Sequence, residues 1–238
     1  MQLDALIPEG PGPFPAAIVV HGGGWVAGDR RWNVEPLFAP LIEAGVACLS
    51  ISYRLATQVA MLGAAVEDVE MAIRYAKAHA ADFRIDAGRV ALLAESAGGQ
   101  LAAMAILRKP EAVKAAVLLY TPMDLERLAR TSGLIPEPLR VAAQGAPRVL
   151  AHLRELSPIH HVRGGMPPFL LIHGTADPLV PFEQSREMCK AVRRTGSRCD
   201  LLAVNGGAHG LRRWESAGMT GYKRLMVRWL GEQMAQCL

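Results

Sequence analysis

The sequence predicts an α/β fold, a mostly parallel central sheet flanked by helices on both faces. Three observations carry that expectation. Short apolar runs bounded by turn residues alternate with helical stretches almost from end to end. The runs are apolar along their whole length, as strands covered on both faces must be. One of them, Arg89 to Leu93, leads straight into Glu95-Ser96-Ala97-Gly98-Gly99 and then into residues with strong helix propensity up to Leu107.

The elements follow in order. Leu3–Ile7 reads as a first strand, closed by a Pro/Gly-rich turn through Pro15. Ala16–Val20 is a buried strand, and the glycine-rich loop His21–Gly28 follows it. A helix around Glu35–Glu43 leads to a strand at Val46–Tyr53. A long helix spans about Ala64–Ala80, with Val66, Val69, Ile73 and Ala76 on one stripe. After the serine-bearing strand and its helix come strands at Ala116–Tyr120 and Phe169–Ile172, a helix at Phe182–Arg193 and a last strand at Leu201–Val204. In the final helix Tyr222, Leu225, Met226 and Trp229 share a face.

The 238 residues, 51% hydrophobic and 20% charged, suit one domain with a full core over 1–238. One segment breaks the rhythm. Between Thr121 and Pro168 no strand is expected, only helical pieces at Pro138–Ala143 and Pro147–Leu156. So long an insertion at the carboxyl edge of a sheet reads as a small cap over a site, at about 121–167.

Composition excludes several function classes. The net charge is +4, and the arginines are scattered rather than blocked, which describes a solvated surface and not a nucleic-acid face. No apolar run reaches the roughly 18 residues of a membrane span, so no membrane partner is expected. Met1-Gln2-Leu3-Asp4 has no signal-peptide character, which favours the cytoplasm while leaving open secretion with a removed leader. Cys48, Cys189, Cys199 and Cys237 lack zinc or CxxC spacing; Cys48 reads as a buried thiol, and a Cys189–Cys199 bridge is an option. His160-His161 lacks a third ligand, so no metal is expected.

The chemistry gathers around Ser96. A serine at the tip of a strand-to-helix turn, flanked by Ala94 and Gly98, is a close variant of the G-x-S-x-G nucleophile elbow. It needs a base, a group to orient that base, and donors for a developing oxyanion. His209 lies in Asn205-Gly206-Gly207-Ala208-His209-Gly210, just past the last strand. Asp177 follows the preceding strand in His173-Gly174-Thr175-Ala176-Asp177-Pro178, whereas Asp200 would start a strand on the opposite edge. In His21-Gly22-Gly23-Gly24-Trp25, the amides of Gly23 and Gly24, with that of Ala97, are candidate oxyanion donors. His21 is expected to brace this loop. Trp25 either lines an acyl pocket or caps the core. Glu95 reads by default as structural, with tuning of local charge or holding a loop as the alternatives.

These blocks resemble an α/β-hydrolase carboxylesterase of the HGGG type, especially compact bacterial esterases grouped with acetylxylan and feruloyl esterases. The matching segments are His21–Trp25 with Gly28-Asp29-Arg30, Ser52-Tyr53-Arg54-Leu55, Glu95–Leu101, Ser157-Pro158-Ile159 with Pro167–Pro181, and Gly206–Gly210. The resemblance implies Ser96 as nucleophile, His209 as base and Asp177 as acid, with Gly23, Gly24 and Ala97 as donors. Ala94 departs from the usual first elbow glycine, and Ser52 stands where aspartate is frequent. A short amino terminus without an amino-terminal cap would leave a more open site.

The expected activity is hydrolysis of short-chain carboxylic esters through an acyl-enzyme, with no metal or organic cofactor. Its partner is a small-molecule ester, and the chain is expected as a monomer or homodimer. An amide hydrolase on the same residues, such as an arylformamidase or small peptidase, is one alternative. A non-catalytic ligand-binding protein is another. At 5% aromatic residues no carbohydrate-stacking platform is obvious.

Overall fold

A computed structural model describes residues 2–56, 61–131 and 147–235. Seven strands form one sheet: β1 (Gln2–Leu6), β2 (Phe14–Val20), β3 (Ala47–Ser52), β4 (Ile85–Glu95), β5 (Ala115–Leu119), β6 (Phe169–Gly174) and β7 (Cys199–Val204). Their spatial order is β1-β3-β2-β4-β5-β6-β7. Edge strand β1 runs antiparallel to β3, and every other pair is parallel. The parallel strands therefore end on one edge of the sheet, where the loops after β2, β4, β5, β6 and β7 converge.

The helices are α1 (Phe38–Glu43), α2 (Leu62–Ala78), α3 (Ser96–Arg108), α4 (Leu125–Thr131), α5 (Pro147–Glu155), α6 (Glu183–Arg194), α7 (Leu211–Ser216) and α8 (Gly221–Met234). Alternate strand residues face two separate cores. Ile18, Val20, Leu92 and Leu118 pack with Val66, Val69 and Ile73 of α2, Leu101 of α3 and Met188 and Val192 of α6. Val19, Leu93, Val117 and Ile172 pack with Leu41 of α1 and with Tyr222, Met226, Trp229 and Leu230 of α8. Burial on both faces is why the strands read as continuous apolar runs.

Expected and observed elements agree to within a few residues at their ends, with four differences. The helix at Glu35 opens as a 3-10 turn, Glu35–Leu37, around Pro36 before α1 begins. Helix α4 was not anticipated. Its start is marked by Asp124, whose carboxylate accepts the Arg127 amide at 2.9 Å, an N-terminal capping geometry. Helix α7 follows Gly210, whose φ of 107° turns the chain sharply after His209. Cys189 and Cys199 are not bridged: both are free, and the Cys189 thiol donates to the Cys199 carbonyl.

Helix α5 matches the expected piece at Pro147, whereas the piece expected at Pro138–Ala143 lies outside the described residues, as does Cys237. Among the described residues no helix is long and apolar enough to cross a membrane.

Candidate active site

The elbow at Ser96 is built by close approach. Ser96 has a φ of +50°, a strained value for a side-chain-bearing residue, at the junction of β4 and α3. That geometry is held because α3 lies almost against the end of β2. A Cβ on Gly98 would stand 2.1 Å from the His21 carbonyl oxygen. Position 98 is thus closed to any side chain.

Ser96, His209 and Asp177 meet at the carboxyl edge. Ser96 Oγ lies 2.9 Å from His209 Nε2, and His209 Nδ1 lies 2.7 Å from Asp177 Oδ2. A carboxylate can only accept, so Nδ1 carries the proton and Nε2 presents a lone pair to the serine hydroxyl. Asp177 is fixed in turn: its Oδ1 accepts the amides of Leu179 and Val180 at 2.8 and 2.9 Å. Burial pushes its carboxyl up, but hydrogen bonds from His173 and His209 outweigh that and hold it well below the usual carboxylate range.

His173 is a contributor that sequence reasoning passed over. It is fully buried; its Nε2 faces the Val180 carbonyl at 2.9 Å and Asp177 Oδ2 at 3.4 Å, while Nδ1 meets the Ser185 hydroxyl at 2.7 Å. Asp200, set aside from the sequence, sits in β7 and accepts the Trp229 indole N–H, far from this cluster.

The glycine loop after β2 is folded tightly. Gly23 has a φ of +105°, and a Cβ there would meet the Ala27 carbonyl oxygen at 2.1 Å. His21 braces the loop: its Nδ1 donates to Gly22 O at 2.7 Å, and its ring stacks on Tyr53, whose hydroxyl donates to the same oxygen at 3.1 Å. Burial lowers the His21 pKa, in keeping with a neutral bracing ring. Ser52 serves the same loop by accepting the Arg30 amide at 3.1 Å, and Arg54 pairs with Asp68.

A cavity of about 350 Å³ opens over Ser96. Gly23, Gly24, Ala97 and His209 line it, together with Trp25, Pro122, Val180 and Leu128 of α4. Trp25 belongs to both the core and the cavity lining. It is 3% exposed within the core and also forms cavity wall, with its indole N–H on Gln100 Oε1 at 2.9 Å. Gln100 then donates to the Leu156 carbonyl at 2.8 Å, tying the wall to the end of α5. Trp32, 42% exposed, and Asn33 line the cavity too, an exposed indole that low aromatic content did not suggest.

Comparison with known proteins matches residues 3–192 to the BD-FAE family. The chain belongs to that family. This BD-FAE chain is 33% identical over 220 residues to Esterase LipC of Mycobacterium tuberculosis, a match covering 83% of this chain and 53% of that protein. It spans about half the length of the curated relatives it matches.

Among solved structures it is similar to a truncated form of a carbohydrate esterase from gut microbiota, with a TM-score of 0.85 and 26% identity over 98% of this chain and 91% of that one. Propionate-bound esterase 2 of Thermogutta terrifontis gives a TM-score of 0.76 and 29% identity over 97% and 88% of the two chains. The BD-FAE chain has the α/β-hydrolase fold.

Proposed function

We propose that this protein is a serine esterase that hydrolyses short-chain carboxylic esters through an acyl-enzyme. The observation that carries this reading is the continuous contact Ser96–His209–Asp177, whose serine and histidine line an apolar cavity.

In this mechanism Ser96 Oγ attacks the ester carbonyl carbon while its proton passes to His209 Nε2. The oxyanion takes hydrogen bonds from the amides of Gly23, Gly24 and Ala97, each such donor being worth about 2.7–4 kcal/mol of barrier. The tetrahedral species collapses, the C–O bond to the alcohol breaks, and the alcohol leaves with the proton from His209. Water then attacks the acyl-enzyme, giving its proton to His209, and Ser96 is released with the free acid. Asp177 holds the His209 tautomer and balances the imidazolium. Nothing in this sequence of steps calls for a metal or organic cofactor.

Trp25 and Leu128 are assigned to the acyl wall, and α4 with α5 to a small cap over it within a single domain. A cavity of this size suits a short acyl chain. The small-molecule ester is the partner, and the protein acts on it as a monomer or homodimer.

The test is hydrolysis of p-nitrophenyl acetate, butyrate, octanoate and palmitate by the wild type and by Ser96→Ala. The expected result is activity peaking at the short chains and falling by up to about 10⁶-fold in the variant. A variant as active as the wild type would overturn the assignment of Ser96.

A further inference from the structure

Glu95 is a buried carboxyl group to which the hydrolytic steps give no task. It immediately precedes Ser96 and is 1% exposed. Oε1 accepts the Gly22 amide at 3.0 Å, and Oε2 accepts the Tyr120 hydroxyl. The Tyr120 oxygen in turn accepts the Leu211 amide at 3.1 Å. One side chain thus touches the loop that carries Gly23 and Gly24, and through one phenol it reaches the chain two residues beyond His209.

The other flank of His209 is held as well. The Trp214 indole N–H donates to the Ala208 carbonyl at 2.6 Å. The Tyr120 ring stands edge-on to His209 with centroids 4.7 Å apart, and to Trp214 at 5.1 Å. Tyr120, with a φ of +37°, and Ser96, with +50°, are strained residues at the ends of neighbouring strands, and Glu95 joins them. Such backbone persists only where its surroundings enforce it.

The hydrogen bonds around the carboxyl suit its ionised form. An amide N–H can only donate. The Tyr120 hydroxyl accepts from Leu211 and directs its one proton at Oε2. Both carboxyl oxygens therefore act as acceptors, which is the role of a carboxylate. Burial raises this carboxyl above the ordinary carboxylate range, and the hydrogen bonds from Tyr120 and Gly22 and the nearby His209 charge offset only part of that rise.

We propose that Glu95 is a positioning residue that sets the glycine loop and the histidine loop relative to Ser96 and adds a buried negative charge favouring cationic His209 in the transition state. This rests on the esterase reading above. The groups facing the pair are few. Tyr53, Tyr120 and Tyr222 surround Glu95 as phenols that burial keeps neutral, and Asp177 and Ser96 face His209. None of the phenols competes with Glu95 as a source of negative charge.

The test compares wild type, Glu95→Gln and Tyr120→Phe on p-nitrophenyl acetate across pH, with thermal unfolding of each protein. Glu95→Gln keeps the shape and an acceptor for Gly22 but removes the charge. Its kcat is expected to fall about 10- to 100-fold with KM little changed, and the acid limb of its kcat/KM profile to move to lower pH. Tyr120→Phe keeps the ring against His209 and is expected to lose about tenfold in kcat. A folded Glu95→Gln protein within twofold of wild-type kcat, or one with an unmoved acid limb, overturns the proposal. If that variant does not fold, Tyr120→Phe decides, and kcat within twofold of wild type overturns it. Labelling of wild-type Ser96 by a p-nitrophenyl phosphate triester separates the two readings. Labelled wild type with silent variants sinks only the role of Glu95, whereas unlabelled, inactive wild type sinks both.

Discussion

His173 Nε2 lies 3.4 Å from Asp177 Oδ2, and both side chains are wholly buried. The same ring holds the Ser185 hydroxyl and the Val180 carbonyl, so it ties α6 to the turn that carries Asp177. His173→Leu leaves the Ser185 hydroxyl and the Val180 carbonyl without this partner in a buried site. It is expected to cost about 1–3 kcal/mol of stability and to reduce kcat. Urea unfolding and p-nitrophenyl acetate kinetics check both; a variant of unchanged stability would show that the contact carries no weight.

The hydrogen bonds to Asp177 also set an acid dependence. Its folded-state pKa is depressed below the ordinary value of 3.8, so its ionised form stabilises the fold. That contribution is complete above about pH 3.8, the value expected in the unfolded chain, and is lost as pH falls below it towards the folded value. Unfolding free energies of wild type and Asp177→Asn should therefore differ most near neutrality and converge in strong acid. A gap that stays constant down to pH 2.5 would contradict this.

Leu128 gives the cavity beside Ser96 an adjustable side. It lines the cavity from α4, whose start is anchored by the Ser157 hydroxyl on the Leu125 amide at 2.8 Å. Leu128→Ala should deepen the acyl space and raise the octanoate-to-acetate ratio of kcat/KM by roughly 3- to 10-fold. An unmoved ratio would place the acyl chain elsewhere in the cavity.

Much of this architecture was legible because strand ends and turns announce themselves locally. Ser96, Asp177 and His209 each follow an apolar run and sit among small or turn-forming residues, so their shared edge could be read before their contacts were known. What escaped has physical reasons. Helix α4 is only seven residues long, and its one local signal, the Asp124 cap, is easily missed. The direction of β1 is invisible to an apolar pattern that reads the same parallel or antiparallel. Tyr120 looked like an ordinary strand end, since its partners Glu95 and Leu211 lie 25 and 91 residues away. Nor does an aromatic count tell where Trp32 stands.

Ser96 and His209 are separated by 113 residues of chain, and the histidine follows the last strand of the sheet. A ribosome must therefore finish β7 and the turn beyond it before Ser96 can meet His209, and a polypeptide halted earlier carries the serine without its imidazole partner. Contacts so distant in sequence are also slow to close. In a refolding experiment, recovery of activity should track the docking of this final segment rather than the earlier collapse of the sheet.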